Sequence, residues 1–276
     1  MAWKITCESS ADLSQELYKK NKISVIPFTI TMGNDDYKDG QIDNQQIFDF
    51  FKDTKTLAKT SALNEYDYEE FWKKENTEDG IIHLCISSKI SSTYNNAVSA
   101  SKKFDNVYVI DSESLSSGIG LQLLYAVELR NKKVAIEEAV KLLEERKNKV
   151  QISFVIDSLT YLHKGGRCSA LTLLGANLLG IKPSIVVSNG KMTIGKKYRG
   201  KIHKILDEYI RDVISSNKPN NTCIITYSSA TPEMLDEIKS AISKYGKFDN
   251  IIETRAGATV TTHCGPNTIG IIFYNE

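Results

Sequence analysis

Short apolar runs rich in β-branched residues alternate with amphipathic stretches from Trp3 to Asp157, and this alternation constrains the fold more than any other feature. Such an order is typical of a mostly parallel sheet with helices packed on its faces. The predicted strands are Trp3–Thr6, Ile23–Thr31, Ile81–Ile86, Val107–Ile110 and Gln151–Ile156. The predicted helices are Gln45–Thr54, Tyr66–Lys74, Thr93–Phe104, Ser114–Arg130 and Ala135–Lys147. This part of the chain therefore predicts one doubly wound α/β domain.

The pattern changes after Asp157. Two short runs, Ser184–Ser188 and Lys191–Gly195, are joined by Asn189-Gly190, which is the strongest local signal for a β-hairpin. Further predicted elements are helices at Lys201–Ser215 and Pro232–Tyr245 and strands at Cys223–Tyr227, Ile251–Arg255 and Ile269–Tyr274. Because domains usually hold about 100–150 residues, a chain of 276 residues predicts two of them. We expect an α/β domain over residues 1–157 and a smaller α+β domain over residues 158–276.

Composition excludes several classes of partner. Lys and Arg number 35 against 34 Asp and Glu, so the charge gives no reason to expect nucleic acid or an anionic membrane. Five scattered cysteines without a C-x-x-C pair are typical of reduced thiols, and the four histidines are too dispersed to suggest a metal. The sequence begins without a signal-peptide pattern, and no apolar run approaches the ~18 residues of a bilayer span. We expect a cytoplasmic protein that inserts into no membrane.

Four polar segments lie at or near the ends of predicted strands, where the ligands of parallel sheets bind. They are Glu8–Asp12, Thr60-Ser61, Ser87–Tyr94 and Asp111–Ser114. In the third segment, Ser91 or Ser92 comes directly before the predicted helix at Thr93. The first amide groups of a helix are unpaired donors that attract an anion. The alternative is that these hydroxyls only cap the helix.

Two further segments near the C-terminal half carry candidate ligands. His263 is predicted in a turn between the last two strands, after a series of small residues that would let a ligand approach closely. The alternative is a structural histidine. Leu162–Arg167 is predicted as a strained turn in which Arg167 reaches a carboxylate or phosphate, or alternatively as a helix end with a solvated arginine. The apolar stretch Leu171–Ile181 then forms either core or the wall of a tunnel.

Familiar enzyme motifs are incomplete. Gly190–Lys196 fits G-x-x-x-x-G-K, but Lys197 replaces the Ser or Thr of a phosphate-binding loop and the context is a hairpin. A dinucleotide fingerprint fails because Leu123 stands where its third glycine belongs, and there is no G-x-S-x-G elbow. A hydrolase that uses Ser91 with His263 as its base stays an open alternative.

Seven short motifs follow one another in a fixed order along essentially the whole chain. They are Glu8–Leu13, Lys59–Ser61, Ser87–Tyr94, Val109–Ser112, Leu162–Arg167, Gly180–Pro183 and Thr262–Pro266. Together they resemble the DegV family. The resemblance implies a two-domain α/β protein that binds one long-chain fatty acid, such as palmitate, with the tail inside the second domain and the carboxylate at the domain junction. It also implies the role of the non-catalytic lipid-binding subunit of bacterial fatty acid kinase, which presents the acid to a separate ATP-dependent kinase subunit and needs no cofactor.

Transferred motif by motif, the resemblance implies that the carboxylate ligands are Thr60, Ser91 and His263. Additional polar contacts are expected from Ser92, Arg167 and Arg199, and no metal is expected. Ser92 stands where the family usually has Gly, so it would either crowd the carboxylate or add a donor beside Ser91. A lipid-sensing binder without a kinase partner is the remaining alternative.

Overall fold

The structure is a computed structural model that describes residues 3–75, 77–167 and 180–276. Its strands are β1 Lys4–Glu8, β2 Ile23–Ile26, β3 Thr29–Met32, β4 Asp35–Lys38, β5 Lys59–Ser61, β6 Ile81–Cys85, β7 Val107–Asp111, β8 Val150–Val155, β9 Ile181–Ser188, β10 Lys191–Arg199, β11 Pro219–Tyr227, β12 Asn250–Arg255 and β13 Ile269–Asn275. Its α-helices are α1 Gln15–Lys20, α2 Asn44–Thr54, α3 Glu65–Glu75, α4 Thr93–Ser101, α5 Ser117–Asn131, α6 Ile136–Arg146, α7 Leu159–Gly165, α8 Ile202–Ser215, α9 Pro232–Tyr245 and α10 Ala258–Cys264.

The first sheet has four parallel strands in the order β2-β1-β6-β7. All five residues of β6 are buried, as expected for a central parallel strand with helices on both faces. The predicted α/β fold class is confirmed by this sheet and its helices.

The second sheet has six strands in the order β10-β9-β8-β13-β11-β12, and only β11 and β12 run parallel to each other. The predicted hairpin is confirmed, since Asn189 and Gly190 both have positive φ in the turn between β9 and β10. The prediction that placed Gln151–Ile156 in the first sheet is wrong, because β8 pairs with β13 and β9. An apolar run identifies a strand but not its partners. The boundary at residue 157 stays a prediction.

A third, small antiparallel sheet has the order β4-β3-β5. The run Ile23–Thr31, predicted as one strand, is divided between two sheets: β2 belongs to the first sheet and β3 to the small one. Pro27 lies at the division, and a proline cannot donate a hydrogen bond to a sheet. The division places Ile30 opposite Thr60 of β5.

Helix α5 lies between the two larger sheets and contacts both of them. Most of its residues are buried, and two glycines allow its close approach. A Cβ added at Gly118 would lie 2.1 Å from the Oγ of Ser114, and one at Gly120 would lie 2.8 Å from Leu13. The largest hydrophobic cluster accordingly runs from the first sheet through α5 to the second sheet without interruption.

None of the helices in the described part of the chain is long and apolar enough to cross a bilayer. Four cysteines, Cys7, Cys85, Cys223 and Cys264, are buried and are not joined in disulfides. Cys168 lies outside the described residues.

Candidate functional site

An apolar cleft lies between the two larger sheets, with an empty volume of about 710 Å³ including its open mouth. The apolar side chains of its wall include Ile86, Ile90, Leu115, Phe154, Met192 and Ile272. Ile86 and Ile90 follow β6 of the first sheet. Phe154, Met192 and Ile272 belong to the second sheet. The cleft therefore depends on both sheets.

His263 lines this cleft and contacts Thr60, which is 203 residues away in the sequence. The Nε2 atom of His263 lies 2.8 Å from the Oγ1 atom of Thr60 on β5. The structure thus brings together two of the three ligands predicted from the sequence. The prediction of a turn at His263 is wrong, because this residue lies on helix α10.

The start of α10 explains why a segment of small and polar residues is helical. The N–H of Gly257 donates to Asp12 at 2.8 Å, and the amides of Ala258 and Thr259 donate to the carboxylate of Asp39 at 2.9 and 3.2 Å. The side-chain oxygens of Asp12 and Asp39 thus accept hydrogen bonds from amide groups that a helix start leaves unpaired. Because both carboxylates come from the first 40 residues, local sequence patterns could not reveal this helix.

The imidazole of His263 is neutral at pH 7. Burial, together with the positive charge of Arg167, lowers its pKa from 6.5 to about 4. The Nδ1 atom is buried and has no hydrogen-bond partner among the described residues. A Cβ added at Gly165 would lie only 2.9 Å from this Nδ1, so the glycine is what permits α7 to pack against the imidazole.

Ser91 lies just before α4, and its hydroxyl already has two partners. Its Oγ accepts hydrogen bonds from the N–H of Thr93 at 3.3 Å and from the Oγ1 of Thr93 at 3.2 Å. This is the capping interaction that the sequence left open as an alternative. Asn96, one turn into α4, donates to the carbonyl oxygen of Leu63 at 2.7 Å. This bond holds α4 beside the segment that follows Thr60.

The other predicted contacts differ in their positions. Arg167 lines the cleft, is exposed, and donates from Nη1 to the carbonyl of Gly165 at 2.6 Å. Gly166 ends α7 with a φ of 70°, so the helix end expected as an alternative for this segment is present and the predicted strained turn is wrong. Ser92 is exposed and makes no capping bond with its side chain. Arg199 is exposed at the end of β10 and is not among the described residues that line the cleft.

The apolar stretch that was predicted as core or tunnel wall lies outside the described residues from its start to residue 179.

A second polar group lies in the core at the ends of β1 and β6, next to Ile86 of the cleft wall. Glu8, His83 and Cys85 have ligand-type atoms within 4.8 Å of one another, and all three are buried. The carboxylate of Glu8 already accepts from the Tyr68 hydroxyl at 2.5 Å and from the Ile86 amide at 2.8 Å. Burial raises the pKa of Glu8 to about 6. The arrangement is a hydrogen-bonded core network that ties α3 to the ends of β1 and β6.

Sequence reasoning missed three residues that shape the site. Thr93 supports Ser91, Gly165 admits His263, and Ser87 donates to the carbonyl of Gly190 at 2.8 Å. The last bond attaches the β9–β10 hairpin to the loop that leads to Ser91. All three lie within the segments Ser87–Tyr94 and Leu162–Arg167 that the sequence singled out, but the sequence alone assigned none of them a role.

Comparison with known proteins places the chain in one family. The family model described as "Uncharacterised protein, DegV family" matches residues 2–276. A fatty acid-binding protein of Thermotoga maritima is 31% identical over 282 residues, which cover 98% of this chain and 96% of that relative. A fatty-acid-binding DegV family structure from Thermus thermophilus has a TM-score of 0.91, with 23% identity and 100% of both chains covered. A DegV family structure from Eubacterium eligens, loaded with heptadecanoic acid, has a TM-score of 0.86, with 21% identity and 100% of both chains covered.

Proposed function

Because the chain belongs to the DegV family, we propose that it binds one long-chain fatty acid with the carboxylate at Thr60, Ser91 and His263. The tail occupies the apolar cleft and extends towards the second domain. The observation that carries the proposal is the 2.8 Å contact between Thr60 and His263 beside an apolar cleft. Polar atoms that converge at one end of an apolar cavity are what an amphipathic ligand requires.

The tail supplies most of the affinity. Burial of about fifteen methylene groups at ~0.8 kcal/mol each contributes on the order of 10 kcal/mol before the cost of ordering the ligand. The head group only needs replacements for the hydrogen bonds that it made to water. Exposed Arg167 and Ser92 are additional contacts at the mouth, and Arg199 is a contact for a partner protein.

We further propose that the bound acid is the substrate of a separate ATP-dependent kinase subunit, which phosphorylates the carboxylate in the cytoplasm. A neutral imidazole and two hydroxyls hold a carboxylate without a strong ion pair. An oxygen held in this way stays available for transfer of a phosphoryl group. On this proposal the chain itself is not catalytic, in keeping with the contact of His263 to Thr60 instead of Ser91.

The test starts from purified protein that is denatured and extracted with solvent. Mass spectrometry of the extract is expected to reveal about one long-chain fatty acid per chain, and an empty extract from folded protein would contradict the proposal. The double variant Ser91→Ala, His263→Ala is expected to retain less lipid. Thr262→Val is the matched control on the same helix, because its hydroxyl already donates to the Ala258 carbonyl at 2.8 Å.

Two further assays separate the alternatives. Acyl-phosphate formation with a bacterial fatty acid kinase subunit and ATP is expected for the wild type and lost in the double variant. Bound lipid that the kinase subunit does not phosphorylate would contradict the partner and leave a lipid-sensing binder. Hydrolysis of a chromogenic ester that disappears in Ser91→Ala would contradict the non-catalytic role.

A further inference from the structure

A short chain of contacts connects a buried carboxylate to Ser91. Glu8 ends β1 and is fully buried. Its carboxylate accepts hydrogen bonds from the Tyr68 hydroxyl at 2.5 Å and from the Ile86 amide at 2.8 Å, and the hydroxyl of Thr93 is a further partner. The same Thr93 hydroxyl lies 3.2 Å from the Oγ of Ser91. Glu8 therefore reaches the proposed head-group site through a single side chain.

The charge of Glu8 decides where the proton of the Thr93 hydroxyl goes. A hydroxyl carries one proton, so Thr93 donates either to Ser91 or towards Glu8 and its partner Tyr68. An ionised carboxylate is the stronger acceptor, and it draws the proton of Thr93 towards Glu8. The oxygen of Thr93 then accepts the proton of Ser91 and takes it away from a ligand. A protonated Glu8 instead leaves Thr93 to donate to Ser91, so that the Ser91 proton becomes available to a ligand.

Glu8 differs from the titratable side chains around it in the pH at which its charge changes. Those that face it among the described residues are Tyr68 from α3, His83 and Cys85 from β6, and Cys7 beside it on β1. Burial lowers the pKa of His83 to about 3 and raises the pKa of the phenol and of both thiols well above their usual range. Burial raises the pKa of Glu8 from 4.5 to about 6. Within this group, Glu8 is the side chain that changes its charge close to neutral pH.

We infer that Glu8 is a positioning residue of the head-group site, and that binding of a fatty acid anion at Ser91 is coupled to the uptake of a proton by the Glu8 carboxylate. This inference rests on the proposed binding of a fatty acid at these residues. A second negative charge at Ser91 disfavours the ionised form of Glu8, and the hydroxyl of Thr93 can support the ligand only when Glu8 is protonated. The proton comes from solvent, and no bond of the fatty acid is made or broken. Affinity is then highest below pH 6, and it falls as the pH rises from about 6 towards the higher pKa that Glu8 has in the complex.

Isothermal titration of delipidated protein with palmitate, in two buffers of different ionisation enthalpy at one pH, measures the number of protons taken up. If the ligand raises the pKa of Glu8 by about one unit, the wild type takes up about half a proton per palmitate near pH ~6.5. Its affinity is expected to fall roughly sixfold between about pH 5.5 and about pH 7.5. The pKa of His263 is about 4 and that of Asp12 is about 8, so both groups titrate outside this window.

Glu8→Gln keeps the size of the side chain and removes its charge. This variant is expected to take up no proton and to bind palmitate with one affinity across the window. Cys7→Ala is the matched control, because it alters a neighbouring buried titratable group that is not part of the chain to Ser91, and it is expected to take up the same half proton. Uptake that persists in Glu8→Gln, or that disappears in Cys7→Ala, would overturn the inference.

Since Glu8 is fully buried, melting temperatures are measured first. If Glu8→Gln does not fold, Thr93→Val interrupts the chain and removes one donor from the carboxylate. Glu8 is then largely protonated before the ligand binds, so proton uptake is expected to fall by about half or more, and an unchanged uptake overturns the inference. A wild type that binds palmitate without proton uptake also overturns it and leaves the proposed function intact. A wild type that binds no palmitate at any pH would instead contradict the proposed function.

Discussion

Substitution of Gly165 by alanine tests whether His263 is held where the structure places it. The added Cβ would lie 2.9 Å from Nδ1, closer than real contacts allow, so either the imidazole or the end of α7 must move. Overpacking of this kind costs about 1–3 kcal/mol. Alanine at the last position of a helix recovers up to about 1 kcal/mol of helix propensity. The expected change in the free energy of unfolding therefore lies between about zero and about −3 kcal/mol.

Gly165→Ala is also expected to weaken the binding of fatty acid. Displacement of the imidazole breaks its 2.8 Å contact with Thr60, and a lost hydrogen bond of about 1 kcal/mol weakens fatty acid binding roughly fivefold. Gly166→Ala is the matched control. Its Cβ would meet nothing within 4 Å, but its φ of 70° strains an L-residue by about 1–2 kcal/mol. Gly166→Ala should lower the melting temperature of the protein and leave its affinity for palmitate unchanged.

Isothermal titration with palmitate and thermal unfolding of the two variants provide the comparison. Both variants are expected to lose some stability, and only Gly165→Ala is expected to bind palmitate more weakly. If Gly165→Ala binds palmitate as the wild type does, the position of His263 does not matter for the head group.

Three other substitutions have definite expected outcomes. Burial raises the pKa of Asp12 from 3.8 to about 8, so the folded state keeps a proton that the unfolded chain loses, and the free energy of unfolding falls by about 1.4 kcal/mol per pH unit between these values. Asp12→Asn should flatten this dependence on pH when urea unfolding is measured from pH 4 to 8. An unaltered slope would refute the raised pKa of Asp12. The side chain of Asn44 donates hydrogen bonds to two buried backbone carbonyls of the C-terminal half. Asn44→Ala should therefore lower the free energy of unfolding by roughly 1–3 kcal/mol in the same urea assay. A neutral effect would mean that water replaces the amide. Gly190→Ala would place a Cβ 2.5 Å from the Oγ of Ser87, at a position where φ is 74°. Amide hydrogen exchange should therefore accelerate in the β9–β10 hairpin. Unchanged protection would argue against the attachment of the hairpin to the loop at Ser87.

Much of the local structure was predictable because it depends on neighbours in the sequence. The hairpin turn at Asn189-Gly190 needs two residues that tolerate positive φ, and that requirement is written in the two residues themselves. The capping role of Ser91 follows in the same way from its place before α4. The helix end at Gly166 needs only a glycine after the last turn. Each of these features is settled within a few residues.

The pairing of strands and the location of α10 were not predictable, because they depend on residues far away in the chain. The run that forms β8 has the same apolar character whether it joins the first sheet or pairs with β13. The small residues of α10 become helical because Asp12 and Asp39 accept hydrogen bonds at its start. The division of Ile23–Thr31 between two sheets likewise follows from tertiary pairing around Pro27.

The sequence by itself determined the α/β class, the family, and the names of Thr60, Ser91 and His263 as candidates, because motif order and periodicity are properties of the chain alone. Only the tertiary structure decided that Thr60 and His263 are in contact and that an apolar cleft lies beside His263. The physical reason is that the two residues in contact are 203 positions apart, so only the packing of distant segments brings their side chains together.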